Sequence, residues 1–270
     1  MKVNNKVIVV TGGGNGMGRE LVLSLIKKGA KVAAVDINES ALLGTLNLVD
    51  AAQRDNLSIH VLNITDKDKV LVLPQQIIEI HGSIDGLIND AGIIQPFVRI
   101  NDLDFDNINR VFNINFFGTL FMIKAFLPYL LKSEVAHLIN VSSMGGFLPV
   151  PGQSIYGASK AAVKLLTEGL SAELINTNVK VSVVFPGAIG TNIMVNSGLE
   201  NSKTAEADAK SSKLKPLSPD KAAQIIIKGI EKDKVRIFVG SDSKMLDILY
   251  RLNPKFATGL IAKQMQSLLS

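Results

Sequence analysis

The chain has 270 residues, 47% of them apolar, with a formal net charge of +5 and a pI near 9.3. With no cysteine it has neither a disulfide nor a thiolate metal site, and His60, His81 and His137 lack metal-ligand spacing. The lysines are dispersed, with no basic run interleaved with aromatics, which argues against a nucleic-acid partner; no stretch is read as long enough to span a bilayer, the N-terminal apolar run is too short for a signal peptide, and a cytoplasmic protein is expected.

Val7–Val10 is a short apolar run, followed by Thr11-Gly12-Gly13-Gly14-Asn15-Gly16-Met17-Gly18 and an amphipathic stretch from Arg19 to Lys28. Strand, tight turn and helix in that order open a dinucleotide-binding unit. The glycines let the backbone approach a pyrophosphate, whose charge the N–H groups and dipole of a helix opening at about Met17 favour. A second strand, Lys31–Val35, ends in Asp36, about 20 residues after the glycines, where a carboxylate can accept hydrogen bonds from both ribose hydroxyls. The spacing of Leu42, Leu43, Leu46 and Val49 predicts a helix from Glu39 to about Arg54, followed by a strand from Leu57 to Leu62. Asp66 is placed to cap a helix running to His81, within which Pro74 predicts a kink or a late start. A fourth strand, Ile84–Ile88, ends in Asn89-Asp90-Ala91-Gly92, and a long helical region follows from about Phe105 to Leu131. His137–Val141 is a fifth strand ending at Ser142-Ser143, Ser154–Leu174 a helix, and Val179–Phe185 a sixth strand ending in Pro186-Gly187. Residues 192–218, polar and rich in Lys and Ser, predict a loop or lid. Asp220–Lys232 reads as a helix, Val235–Val239 as a seventh strand, and residues 245–269 as an amphipathic tail broken by Pro254. Strands alternating with helices, uninterrupted by linker or repeat, predict one α/β domain over residues 1–270: a doubly wound Rossmann fold, with helices on both faces of a seven-stranded parallel sheet.

Chemistry is expected after the fifth strand. Tyr156 and Lys160 are four apart and share one helix face. A neighbouring ammonium favours the phenolate, so the pair predicts a tyrosine drawn down into general acid–base range. Ser143 ends the preceding strand, at the carboxyl edge where such sheets bind ligands.

The set Thr11-Gly12-x-x-x-Gly16-x-Gly18, Asn89-Asp90-Ala91-Gly92, Asn115, Ser143, Tyr156-x-x-x-Lys160 and Pro186-Gly187-x-x-x-Thr191 resembles the short-chain dehydrogenase/reductase family, in order and spacing, over residues 5 to about 240. The resemblance implies that Tyr156 transfers the proton between substrate oxygen and solvent. By the same resemblance Lys160 lowers the Tyr156 pKa and holds the nicotinamide ribose, Ser143 hydrogen-bonds the substrate carbonyl, and Asn115 holds a water linking Lys160 to solvent. Cofactor contacts are implied for Gly12, Gly14, Asn15, Gly16, Met17, Gly18, Asp36, Ile37, Asn63, Ile64, Asn89, Ala91, Gly92, Tyr156, Lys160, Pro186, Gly187, Ile189 and Thr191. Two positions depart from the family pattern. Asp90 stands where Asn is usual, and Asn63 stands where many members have an Asp that contacts adenine; the Asn63 amide oxygen is expected to accept the adenine amino group.

Asp36 repels a 2′-phosphate, and Asn15, Ile37 and Asn38 stand where NADP enzymes of this type place Arg or Lys, so NAD is favoured over NADP. Candidate substrate residues are Ser143, Gln95, Phe147, Gln153 and Met194, with Ile94, Ala188, Val195 and Leu199 beside them. No Arg in those stretches offers a carboxylate clamp, so the expected substrate is a neutral secondary alcohol or ketone. The alternatives are an NADP-dependent carbonyl reductase, a non-enzymatic dinucleotide-binding redox sensor, and a sugar-nucleotide epimerase or dehydratase. A sensor has no need of Asn115, Ser143, Tyr156 and Lys160 together, and the three residues between Gly12 and Gly16 argue against the epimerase. Apolar surplus on the helices from Phe105 and Ser154 (Phe116, Phe117, Phe121, Phe126, Leu165, Leu166) predicts a homo-oligomer, a dimer or tetramer, with the tail as a second candidate surface.

Overall fold

The computed structural model describes residues 1–199 and 216–265. Among these, seven parallel strands form one sheet in the order β3-β2-β1-β4-β5-β6-β7: β1 (Val7–Thr11), β2 (Lys31–Asp36), β3 (Leu57–Val61), β4 (Gly86–Asn89), β5 (Ala136–Val141), β6 (Val179–Pro186) and β7 (Arg236–Val239). The helices are α1 (Gly16–Lys27), α2 (Glu39–Asn47), α3 (Lys67–His81), α4 (Phe105–Phe112), α5 (Thr119–Leu130), α6 (Ser154–Glu173), α7 (Ile193–Asn196), α8 (Pro219–Ile230), α9 (Ser241–Leu252) and α10 (Pro254–Gln264). Strand side chains alternate between two helical layers, which is why the strands read as unbroken apolar runs. Ile8 and Val10 meet Leu21 and Leu25 of α1 and Ile226 and Ile227 of α8. Val7 and Val9 face Leu73 and Ile77 of α3, Phe126 of α5 and Leu170 of α6. This is the doubly wound sheet that the sequence predicts.

Several boundaries differ from the expectation, each for a local reason. The helix from Glu39 stops at Asn47 rather than Arg54. Leu48 and Val49 donate to carbonyls three residues back, which tightens the last turn, and a 3₁₀ segment, Ala51–Asn56, follows. Pro74 neither delays nor ends α3: Val70, Leu73, Pro74 and Ile77 are all buried, and that packed face outweighs the hydrogen bond proline cannot make. Asp66 caps α3 as expected, accepting from the Lys69 N–H at 3.3 Å. The tail is two helices, with Asn253 capping the second through Phe256 N at 3.0 Å.

Between α4 and α5 the chain remains helical through a π segment, Asn113–Gly118. The whole run, Phe105–Leu130, is long and apolar enough to cross a membrane by length and composition, with a mean hydropathy of 1.4, which corrects the reading that no stretch is. Its apolarity has another use, since Met122, Ile123, Phe126 and Leu130 are buried in the core between sheet and helices. Phe126 therefore leaves the group of residues expected at an oligomer surface.

Candidate active site

β1 lies between β2 and β4, and the crossovers leave it in opposite directions, opening a crevice at the carboxyl edge of the sheet. A cavity of about 880 Å³ occupies that crevice. Its walls include Gly12, Asn15, Gly16, Met17, Asp36, Ile37, Asn63, Ile64, Ala91, Gly92, Ser143, Tyr156, Lys160, Pro186, Gly187, Ile189 and Thr191, all of them expected site residues.

Three expected cofactor residues, Gly14, Gly18 and Asn89, stand behind this wall instead. Gly18 lets α1 meet β1: a Cβ there would lie 2.2 Å from the Gly12 carbonyl oxygen, closer than any atom pair tolerates. Gly14 donates its N–H to Asp36 Oδ2 at 3.0 Å. Asn89 is spent on the sheet, donating to Asn140 Oδ1 at 2.8 Å, and Asn140 in turn donates to Thr167 on α6. The turn needs glycine at Gly12 (φ +74) and Gly16 (φ +52), where the backbone is left-handed. It is braced from outside by Arg19, whose Nη2 donates to the Gly14 carbonyl at 2.6 Å, and by Thr45, whose hydroxyl donates to the Gly13 carbonyl at 3.0 Å. Sequence reasoning passed over both residues, which carry no motif of their own.

At one end of the cavity Asp36 is held by two backbone donors, Gly14 N on Oδ2 and Asn38 N on Oδ1, each at 3.0 Å. Asn63 lines this end, and its Oδ1 accepts both the N–H and the hydroxyl of Thr65, at 3.0 and 2.9 Å, so an adenine amino group would share that oxygen with the Thr65 N–H in place of the rotatable hydroxyl.

At the other end Ser143, Tyr156, Lys160 and Asn115 converge. Ser143 leaves β5 and caps a short 3₁₀ turn, accepting from Gly145 N at 3.0 Å. Tyr156 lies in the first turn of α6 and Lys160 one turn deeper, where its Nζ donates to the Val141 carbonyl at 2.9 Å. Burial pushes the Lys160 ammonium down to about 8. Burial also pushes the Tyr156 phenol up, while its hydrogen bond with Ser143 pulls the other way. This corrects the expected sign: in this site desolvation decides, and the phenol keeps its proton at neutral pH. Asn115, in the π segment, grips the chain after β4 with both ends of its amide. Oδ1 accepts from Ile93 N and Nδ2 donates to the Ile93 carbonyl, both at 2.9 Å, with a further bond to Ser159 Oγ at 3.0 Å. π turns often mark functional sites because they re-aim a side chain within a helix.

Asp90 lines the same wall. Burial pushes its carboxyl up to about 7, with Asp36 adding to the rise and Lys160 and the Gly18 N–H opposing it, and among the described residues its Oδ1 has no hydrogen-bond partner. Folded Asp90 thus keeps a proton that the unfolded chain releases near its ordinary 3.8, so its contribution to stability falls as pH rises from about 4 to about 7. Asp90→Asn is expected to abolish this loss, raising Tm at pH 8 relative to wild type and much less at pH 5. Thermal melts at the two pH values check it, and parallel curves for the two proteins would remove the buried carboxyl from the account. His60 and His137, pushed down to about 4 by burial, destabilise on the acid side in both proteins and cancel in the comparison.

Of the expected substrate residues, Ser143 lines the cavity and four do not. Gln95 and Gln153 are buried in the packing against the start of α6. Phe147 turns away to meet Phe185 edge-on at 5.5 Å, beside Leu246 and Ile261 of the C-terminal helices. Met194 sits on α7, whose cavity-facing residues are Ile193 and Asn196. The wall also includes Ile93, Ile94, and a polar helix face of Asp106, Asn109, Arg110 and Asn113 from α4 and the π segment. The described start of the expected lid is tied across the cavity mouth. Ser197 Oγ accepts from Ile94 N, the Ser197 carbonyl accepts from Arg110 Nη1, both at 3.0 Å, and Asn15 Nδ2 donates to Asn196 Oδ1 at 3.3 Å. Residues 200–215 of that lid lie outside the described residues.

Fold and site together define the class of α/β oxidoreductases that use a nicotinamide dinucleotide. The sequence profile described as short chain dehydrogenase matches residues 6–202, and the chain belongs to that family. The Mycobacterium tuberculosis protein named oxidoreductase SadH is 34% identical over 251 residues, covering 92% of this chain and 90% of its own length. A short chain dehydrogenase/reductase from Burkholderia phymatum, solved in complex with NAD, shares the fold at a TM-score of 0.83 and 24% identity, over 95% of this chain and 96% of its own. A short chain dehydrogenase from Burkholderia cenocepacia J2315, solved in complex with NADP, matches at 0.79 and 25% identity, over 97% and 99%.

Proposed function

We propose that this protein is an NAD-linked oxidoreductase of secondary alcohols and ketones, with Tyr156 as its general acid–base. The observation that carries the reading is the convergence of Ser143, Tyr156 and Lys160 on a cavity whose far end holds an acceptor, Asp36, clamped by two backbone N–H groups. The residues fit a dinucleotide: Gly12 and Gly16 supply a left-handed turn facing the cavity, α1 opens beside it, and a side chain at Gly16 would reach Thr191 on the opposite wall at 3.4 Å. When bound, the nicotinamide supplies or accepts the hydride.

The rest of the chemistry belongs to this chain's residues. The Tyr156 phenol, protonated at neutral pH, donates its proton to the substrate oxygen as negative charge builds there in reduction, and takes it back in oxidation. Ser143 and Tyr156 line the same end of the cavity, so an oxygen seated there meets both. Lys160, anchored by Val141, provides positive charge at that end of the cavity and would hold the cofactor ribose. Asn115 spends its amide on Ile93 and Ser159, so its part is to position the neighbouring loop and α6. Gly12, Gly16, Met17, Ile37, Ile64, Ala91, Pro186, Gly187 and Ile189 form the cofactor walls. Apolar Ile93, Ile94, Ile189 and Ile193 favour a neutral substrate, and Arg110 is engaged with Ser197. NAD is favoured because Asp36 would accept from the ribose hydroxyls and Asn15, Ile37 and Asn38 offer no cation to a 2′-phosphate. A screen of secondary alcohols and ketones with NAD(H) and NADP(H), followed by the absorbance of the reduced cofactor, tests the reading. Turnover only with NADP(H) supports the carbonyl reductase instead.

Residues 192–218 form the substrate lid on this reading, and a homo-oligomer pairs through the helices from Phe105 and Ser154. Leu165 is 69% exposed and Phe117 42%, while Leu252 of the tail, at 80%, marks the second candidate surface. Sedimentation at micromolar concentration is expected to show a multiple of 29.0 kDa, and a monomer refutes the pairing.

A further inference from the structure

We propose that Gln95 is a positioning residue for Tyr156, capping from a distant loop the helical turn that carries the phenol; this rests on the reading of Tyr156 as acid–base. A helix leaves its first N–H groups without intrahelical acceptors, and a side chain at the N-cap position usually serves the second and third. In α6 the N-cap residue, Gln153, makes no such bond, and the first bond along the helix runs from Gly157 N to the Gln153 carbonyl at 2.8 Å. The two donors before it, Ile155 N and Tyr156 N, both go to Gln95 Oε1, at 2.8 and 3.0 Å. Gln153 returns the contact, its Nε2 donating to the Gln95 carbonyl at 2.8 Å.

Gln95 is fully buried and does not reach the cavity, so it acts through Tyr156 and not on substrate. The backbone leading to it is held on two sides, by the Asn115 amide at Ile93 and by Ser197 Oγ at Ile94. Gln95 is therefore the end of a strut that runs from the π segment to the turn bearing Tyr156. Lys160 does not depend on it: Nζ is tied to Val141, and the Lys160 carbonyl accepts from Ser142 Oγ at 2.7 Å. Loss of the Gln95 acceptor should loosen the phenol and leave the lysine seated.

Gln95→Leu removes the acceptor at similar volume, whereas Gln95→Glu keeps an oxygen there, with charge that suits a helix N-terminus. With an alcohol or ketone identified by the screen, Q95L is expected to lower kcat by about 10- to 100-fold, as small misplacements of a reacting group do. NADH affinity by fluorescence titration should stay within about twofold, because the lost interaction is not made to cofactor. The pH limb of alcohol oxidation should move to lower pH, since a loosened phenol gains solvent and sheds the desolvation that is the larger influence on its pKa. Amide exchange, which needs no substrate, should accelerate at Ile155 and Tyr156 and not beyond Lys160. Q95E should restore kcat to within about threefold of wild type. The proposal is overturned by a Q95L with wild-type kcat and pH limb, by a Q95E as impaired as Q95L, or by NADH affinity falling in step with kcat. Should Q95L not fold, Gln95→Asn withdraws the same acceptor by shortening the side chain and is held to the same split. Tyr156→Phe runs in parallel: if it stays active the acid–base reading fails, and if it is dead while Q95L is unimpaired only the positioning role fails.

Discussion

Tyr156→Phe is expected to reduce turnover by about three orders of magnitude while dinucleotide affinity stays within about twofold, since general acid–base groups contribute on the order of 10² to 10⁴ in rate. The substitution deletes one hydroxyl and leaves the ring that packs at the start of α6. Lys160 stays anchored to Val141, and Ser143 stays capped on Gly145, so the rest of the wall keeps its shape. What disappears is the phenolic proton at the end of the cavity that Ser143 and Lys160 also line. Stopped-flow turnover and a cofactor titration separate the two quantities. A Phe variant that turns over near the wild-type rate would move the proton transfer to Lys160 or water and end the assignment.

The parts of this molecule that obey period and spacing were legible in its sequence. The β1–turn–α1 unit, the order of strands and the Tyr156–Lys160 pairing depend on local chain geometry, and local geometry follows from residue type a few positions away. The π segment at Asn113–Gly118 was not legible, because it shifts hydrogen-bond register by one residue without any residue that demands it. The same limit applies to Pro74, read as a kink or a late start, where α3 begins at Lys67 because tertiary burial overrides a local penalty. Gln95 and Gln153 were expected at the substrate, among wall residues both polar and apolar. Their true partners lie about 60 residues apart in the chain, and only the folded packing shows that they satisfy a helix start. The sign of the Tyr156 shift failed likewise: sequence gives the neighbouring charge but not the depth of burial.

Asp36→Ala is expected to weaken NAD binding by about 100-fold, the scale of losing two hydrogen bonds to a charged acceptor. NADP should be hurt far less, because the same substitution withdraws a negative charge from the site of its 2′-phosphate, so the ratio of affinities moves toward NADP. Asp36 also has a local duty, since Gly14 N and Asn38 N both donate to it, and Ala strands both N–H groups at the cavity rim. Asp36→Asn separates the two roles. Its amide keeps an oxygen for the Gly14 N–H and loses the charge, so Tm should hold near wild type while the discrimination against NADP still weakens. Titration of both cofactors into all three proteins, with melts alongside, distinguishes a loosened turn from a lost ribose contact. A wild type that binds NADPH more tightly than NADH would mean that the Asp36 carboxylate is spent wholly on Gly14 and Asn38, bracing the turn and recognising no sugar.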